Sequence, residues 1–266
     1  MKQMSFCKFQ GFGNDYLVLE NADLPMDVEE FARRICDRHF GVGADGISVL
    51  EPPSVSKANY KCRIFNPDGS QATFSGNGTR AAAAYLYFKN YWQQPTLSLE
   101  TLSGIKSFQI LKREGKTFWF KTTLGKPSQM QKLTLDILDQ QVKADFIDVG
   151  NPVCVIFSER FDLPWKKIGE QIEYHPMFPS RTNVVFVKPV NENEIEIRIW
   201  ERGVGETSSS GTCSIAAAVS YLNNHNRRGE IAVKAVGGTT IASWDDDDLM
   251  CITGKVDLVC CGVFFD

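Results

Sequence analysis

The sequence has only three histidines, and no Cys-x-x-Cys pair occurs among its eight cysteines. The usual spacing of a zinc site is therefore missing, and no metal is expected. Lysine and arginine form no run, and the formal net charge is −3. A nucleic-acid partner is disfavoured, because phosphate recognition needs a basic stripe. No stretch approaches the roughly 18 apolar residues that a membrane helix needs. The opening MKQMSFCKFQ lacks the apolar segment of a secretory signal. These absences lead us to expect a cytoplasmic protein with neither nucleic-acid nor membrane partners. A glycine-rich dinucleotide loop is also absent. The GVGADG at 41–46 runs into the strand-like ISVL rather than into a helix.

The chain has 266 residues, 43% hydrophobic and 23% charged, an ordinary globular balance that can bury a real core. Most of the cysteines lie in apolar segments such as NPVCVIF and LVCCGVF. They read as small buried hydrophobes in a reducing compartment.

Short segments recur at a nearly constant offset. Arg63-Ile64-Phe65-Asn66 returns 135 residues later as Arg198-Ile199-Trp200-Glu201. Ser75-Gly76 with Ala81 to Ala83 returns at the same offset as Ser210-Gly211 with Ala216 to Ala218. Gly13-Asn14 matches Gly150-Asn151, while Phe40 and Asp45 match Phe178 and Asn183, at offsets of 137 and 138. Four matches in one order predict a duplicated domain. We place the first copy at 1–124 and the second at 125–266, with the last strand free to return to the first. The polar stretch Thr122 to Lys132, containing Gly125 and Pro127, reads as the linker or long turn between them. Helices are expected at Val28 to Arg38, Gly78 to Lys89 and Thr212 to Asn223. A hairpin is expected to turn at Glu114-Gly115. Alternation in the strands favours antiparallel pairing.

Two polar, glycine-containing loops each run into an alanine-rich helix. One spans Asp68 to Arg80 and the other Glu201 to Thr212. A helix N-terminus offers free N–H groups and a positive dipole end to an anion. Taken alone, each Ser-Gly is an ordinary N-cap. Their symmetric recurrence favours a ligand site with Ser75 and Ser210 at its centre. His39 and His175 read as packing or turn residues, Asp45 as an Asx contact or an orienting group for the first loop. The DDDD run at 245–248 reads as a solvated hairpin tip, and Glu206 as a loop residue.

The segments KFQGFGNDYLVLE, HFGVGADGI, RIFNPDGSQATFSGNGTR, GNPVCV, HPMFPSRTNVVFV and ERGVGETSSSGT closely resemble the motifs of diaminopimelate epimerase. They stand in family order across nearly the whole chain. The resemblance implies an α+β fold of two pseudo-symmetric domains, each an antiparallel-rich sheet wrapped around a central helix, with the site in the cleft between them. It implies an isomerase that inverts the α-carbon of an amino acid without pyridoxal phosphate, metal or other cofactor, by two-base proton transfer. The substrate implied is LL-diaminopimelate, of the lysine and peptidoglycan precursor pathway, and a homodimer is compatible. By the same resemblance Ser75 and Ser210 stand where the two catalytic cysteines belong. Gly76, Asn77, Gly211 and Thr212 would cradle the reacting carboxylate, with Asn14 close to the reacting centre. Asn66, Asn151, Asn183 and Arg202 would hold the distal carboxylate. Glu201 would contact the substrate amine or neighbour a catalytic group.

The departures bear on chemistry. A thiol at a helix N-terminus ionises near neutral pH, whereas a serine hydroxyl needs an adjacent base. Val153 replaces a family histidine, and Cys213 replaces a glycine. Cys213 reads as a helix-packing residue rather than a displaced thiol. Natural divergence accounts for all these departures, an engineered double Cys→Ser change only for the serines. Three readings remain open: an epimerase or racemase with Ser75, Ser210 and Glu201 as catalytic residues; a binding protein that has lost its bases; and an isomerase or dehydratase using a carboxylate such as Glu201.

Overall fold

The computed structural model describes residues 3–265, and the chain divides into two compact units. Unit 1 comprises Met1–Thr122 with Gly254–Asp266; unit 2 is Thr123–Thr253. The last strand, left free above to return to the first half, groups with unit 1 from Gly254.

Unit 1 contains β1 (Gln3–Gly11), β2 (Asn14–Glu20), α1 (Val28–Cys36), β3 (Ile47–Glu51), β4 (Tyr60–Phe65), β5 (Gln71–Ala72), α2 (Gly76–Phe88), β6 (Thr96–Thr101), β7 (Gly104–Glu114) and most of β8 (Thr117–Gly125). Unit 2 contains β9 (Gln129–Ile137), β10 (Gln140–Asp148), β11 (Pro152–Phe157), α3 (Trp165–Glu173), β12 (Asn183–Asn191), β13 (Glu194–Glu201), β14 (Gly205–Thr207), α4 (Gly211–Asn224), β15 (Gly229–Ala235), β16 (Gly238–Trp244) and the start of β17 (Met250–Phe265). The remainder of β17 belongs to unit 1.

In unit 1 the strands pair in the succession β7–β6–β4–β3–β2–β1–β17–β8. All eight contribute side chains to one core around α2, among them Phe9, Tyr16, Leu50, Ile64, Leu99, Phe108, Phe120 and Val256. The result is a closed eight-strand barrel filled by a helix. The sequence of α2 explains its position. Ala81 to Ala84 leave it no polar face, so it is buried all round. Its short side chains also let the strands approach. By contrast α1 buries Phe31, Ala32, Ile35 and Cys36 and turns Glu29, Glu30 and Arg33 to water. Asp27 caps it by accepting from Glu30 N.

Unit 2 pairs its strands as β9–β10–β11–β12–β13–β15–β16–β17. There α4, with buried Ile215, Ala216, Ala217, Ala218 and Val219, packs on β10 to β13, β15 and β16. A second cluster under α3 joins Trp165, Ile172, Phe178 and Phe186.

Several expectations need correction. The sheets are antiparallel-rich, as expected, but mixed, with β2–β3, β4–β6, β11–β12 and β13–β15 parallel. The intervening helices supply the crossovers that parallel pairs require. The stretch Thr122 to Lys132 is mostly strand, with only residues 126–128 as a turn. The helix α3 has no counterpart in the sequence reading. The cysteines are not all free hydrophobes: Cys7 and Cys261 form a disulfide. They face each other on antiparallel β1 and β17, with Cα atoms 4.0 Å apart. A separation of 254 residues hides that pairing in the sequence. Cys36, Cys62, Cys154 and Cys213 are buried thiols, and Cys260 is exposed. Among the described residues no helix is long and apolar enough to cross a membrane.

Candidate functional site

Ser75 precedes α2 in extended conformation, and its Oγ accepts from Gly78 N at 3.1 Å. Serine is favoured there because its oxygen satisfies one of the free donors of the first turn. The same Oγ donates to the Tyr16 hydroxyl at 3.0 Å. Tyr16 and Asn14 lie two apart on β2 and so share a face. Gly76 opens the helix, and Asn77 donates to Asn14 Oδ1 at 3.1 Å. Asn14 in turn donates to Asp45 Oδ2 at 2.8 Å. Asp45 also accepts from Asp15 N and from Arg38. Asp45 thus reaches the first loop only through Asn14 and Asn77. Arg38 bridges to Asp15, which pairs with Lys8 at 2.8 Å. Burial pushes the Asp15 carboxyl up, but hydrogen bonds and charge from Arg38 and Lys8 outweigh it and hold the pKa at about 2. Asn66 is tied to the turn after β4 by its bond to Ser70 Oγ at 3.0 Å. No described hydrogen bond joins it to Asn14 or Asn77.

Ser210 caps α4, accepting from Cys213 N at 3.5 Å, and its Oγ lies 3.4 Å from Thr212 Oγ1. Gly211 is the first residue of the helix. Glu201, ending β13, lies beside Ser210 and Thr207. Burial raises its pKa, while the Ser210 and Thr207 hydroxyls pull the other way. Arg202 N donates to Asn183 Oδ1 at 2.9 Å, and Arg202 Nη2 to Asn151 Oδ1 at 3.4 Å. Three expected carboxylate-holding residues thus form one group. Glu173, 2% exposed, accepts from Gly203 N and Trp200 Nε1, both at 2.8 Å. It anchors the turn that carries Glu201 and Arg202. Val153 is buried opposite Asn183. Burial is the main cause that pushes the Cys213 thiol far up, followed by the Glu201 charge. It is fully buried in α4. Glu206 pairs with Lys166.

Sequence reading missed Tyr16, Arg80 and Glu173. Tyr16 was accessible through its alternation with Asn14. Glu173 was not, because nothing in its local sequence shows that a neighbouring turn folds onto it.

The family model of diaminopimelate epimerase matches residues 6–130 and 146–259. The diaminopimelate epimerase of Caldanaerobacter subterraneus is 37% identical over 275 residues, covering 96% of this chain and 97% of that protein. That of Halothermothrix orenii is 33% identical over 277 residues, covering 98% and 97%. Among solved structures, a hydroxyproline epimerase from Agrobacterium vitis superposes with a TM-score of 0.74 at 14% identity, covering 98% of this chain and 92% of that one. A PhzF-family phenazine biosynthesis protein from Bacillus anthracis gives 0.73 at 17% identity, with 100% of both chains covered. At these identities the two structures speak for the fold alone.

Proposed function

The chain belongs to the diaminopimelate epimerase family, and from that premise we propose that it inverts the α-carbon of diaminopimelate or a closely similar amino acid without pyridoxal phosphate. The feature that carries the chemistry is Glu201, a partly buried carboxylate beside the Ser210 hydroxyl, whose pKa burial raises. A serine is a poor base alone, and an adjacent base of raised pKa is what it lacks. In this reading Ser210 Oγ takes the α-proton as its own proton passes to Glu201. The carbanion takes its new proton from a second group, a part the family resemblance gives to Ser75; the Ser75–Tyr16 hydrogen bond then reverses, Tyr16 returning a proton to Ser75 Oγ and regaining its own from water. First-turn N–H groups of a helix can hold a reacting carboxylate as negative charge grows on it, and α2 and α4 each open on such groups. Arg202, with Asn151 and Asn183, suits a distal carboxylate. The recurring order of strand pairings supports two pseudo-symmetric halves.

A second reading is a ligand-binding protein without catalysis. It is favoured by the engagement of both serine hydroxyls as helix caps. Proton NMR with LL- and meso-diaminopimelate in heavy water separates the two. Loss of the α-proton signal supports the epimerase. Saturation transfer without exchange supports the binding protein, and neither signal overturns the substrate assignment.

A further inference from the structure

Arg80, one turn into α2, is 2% exposed and lies wholly inside unit 1. Among the described residues no carboxylate pairs with it. Its one described hydrogen bond runs from Nη1 to Asn77 Oδ1 at 3.0 Å, and its Nε is buried without a partner. Burial alone brings its pKa down to about 10, with no neighbouring acid to offset the loss of water. Two glycines make room for the group. A Cβ at Gly254 would come 3.0 Å from its Cζ, and one at Gly11 would come 3.2 Å from Asn77 Oδ1. Arg80 also heads a directed chain: it donates to Asn77, Asn77 to Asn14, and Asn14 to Asp45. An amide can present either its oxygen or its nitrogen, and this chain fixes which. Buried arginines are normally paired, and an unpaired one costs stability. A cation held at that cost in the first turn of a helix has a use if an anion arrives there.

We propose that Arg80 is a positioning residue for a carboxylate ligand at the first turn of α2, fixing the amides of Asn77 and Asn14 and supplying an unneutralised positive charge behind them. The ligand class rests on the epimerase-family reading above. Acting through Asn77, Arg80 strengthens the field of the α2 N-terminus in a place that water does not screen. It does not touch the reacting atoms, so it sets affinity and geometry rather than proton transfer.

The test measures, for the same samples, melting temperature and affinity for meso-diaminopimelate and for the simple dicarboxylate pimelate. Arg80→Met removes the charge at similar length. It is expected to melt at or above the wild-type temperature while binding weakens by about tenfold or more. Arg80→Lys keeps the charge and is expected to recover most of that affinity. Lower melting with unchanged affinity would make Arg80 a structural filler and overturn the proposal. If Arg80→Met does not fold, Asn77→Asp gives the answer. A carboxylate placed at that contact should raise the melting temperature if the Arg80 charge is unneutralised, and no rise overturns the proposal. Wild-type binding of pimelate but not diaminopimelate, still dependent on Arg80, sinks the substrate reading and keeps this one. Equal binding of diaminopimelate by wild type and Arg80→Met does the reverse, and wild-type binding of neither compound overturns both.

Discussion

The hydroxyl of Ser75 donates to the hydroxyl of Tyr16 across 3.0 Å, while its oxygen accepts from Gly78 N. The residue in a cysteine's place is therefore both a helix cap and one end of a hydroxyl pair. If the pair carries protons, Tyr16→Phe slows α-proton exchange on the order of tenfold or more without unfolding the protein. Exchange in heavy water, followed by proton NMR alongside a thermal melt, checks it. An unchanged rate removes Tyr16 from the chemistry.

Thiols at both positions should act as better bases than hydroxyls at a helix N-terminus. The double variant Ser75→Cys/Ser210→Cys is expected to raise the exchange rate by on the order of a hundredfold. A rate no greater than that of wild type would show that the serines are not what limits turnover.

Glu201 carries a cost that can be read from pH. Burial raises its pKa above 4.5, so the folded state holds a proton that the unfolded chain releases. Stability is then greatest below the ordinary value and falls as pH rises through the raised one. Glu201→Gln should melt higher than wild type at pH 7, with the gap closing near pH 4, and should abolish exchange. Paired thermal melts across that range decide the first point and NMR the second.

Asp15 behaves in the opposite sense. Its carboxyl, held at about 2 by Arg38 and Lys8, contributes stability that is present above its ordinary value of 3.8 and is lost as pH falls toward 2. Asp15→Asn removes roughly 1–2 kcal/mol at pH 7 and flattens the acid limb of the melting curve. Parallel acid limbs would mean that the Lys8–Asp15–Arg38 group does not couple to folding.

The Cys7–Cys261 bridge joins the first and last strands of unit 1. With one disulfide, thiol titration of the unfolded, unreduced chain finds six free cysteines of the eight. Reduction or Cys7→Ala lowers stability by roughly 2–5 kcal/mol. Eight titratable thiols would show the bridge to be absent in solution.

Much of the fold was present in local patterns. The buried helices α2 and α4 could be placed because their alanine runs allow no wet face. The β7–β8 hairpin followed from alternation around Gly115, whose φ is +58°. The repeated polar loops pointed to Ser75 and Ser210, and their cap geometry follows from residue type alone. The resemblance of the motifs singled out Asn14, Asn77, Asn183 and Arg202 before any contact was known. Tertiary structure decided the rest, because those facts depend on what a side chain meets rather than on what it is. Alternation cannot tell parallel from antiparallel neighbours, so four parallel pairs were missed. A disulfide spanning almost the whole chain leaves no local trace. Glu173 and Arg80 have ordinary surroundings in sequence. Only the folded chain buries the first under a turn and leaves the second with a single amide for its charge.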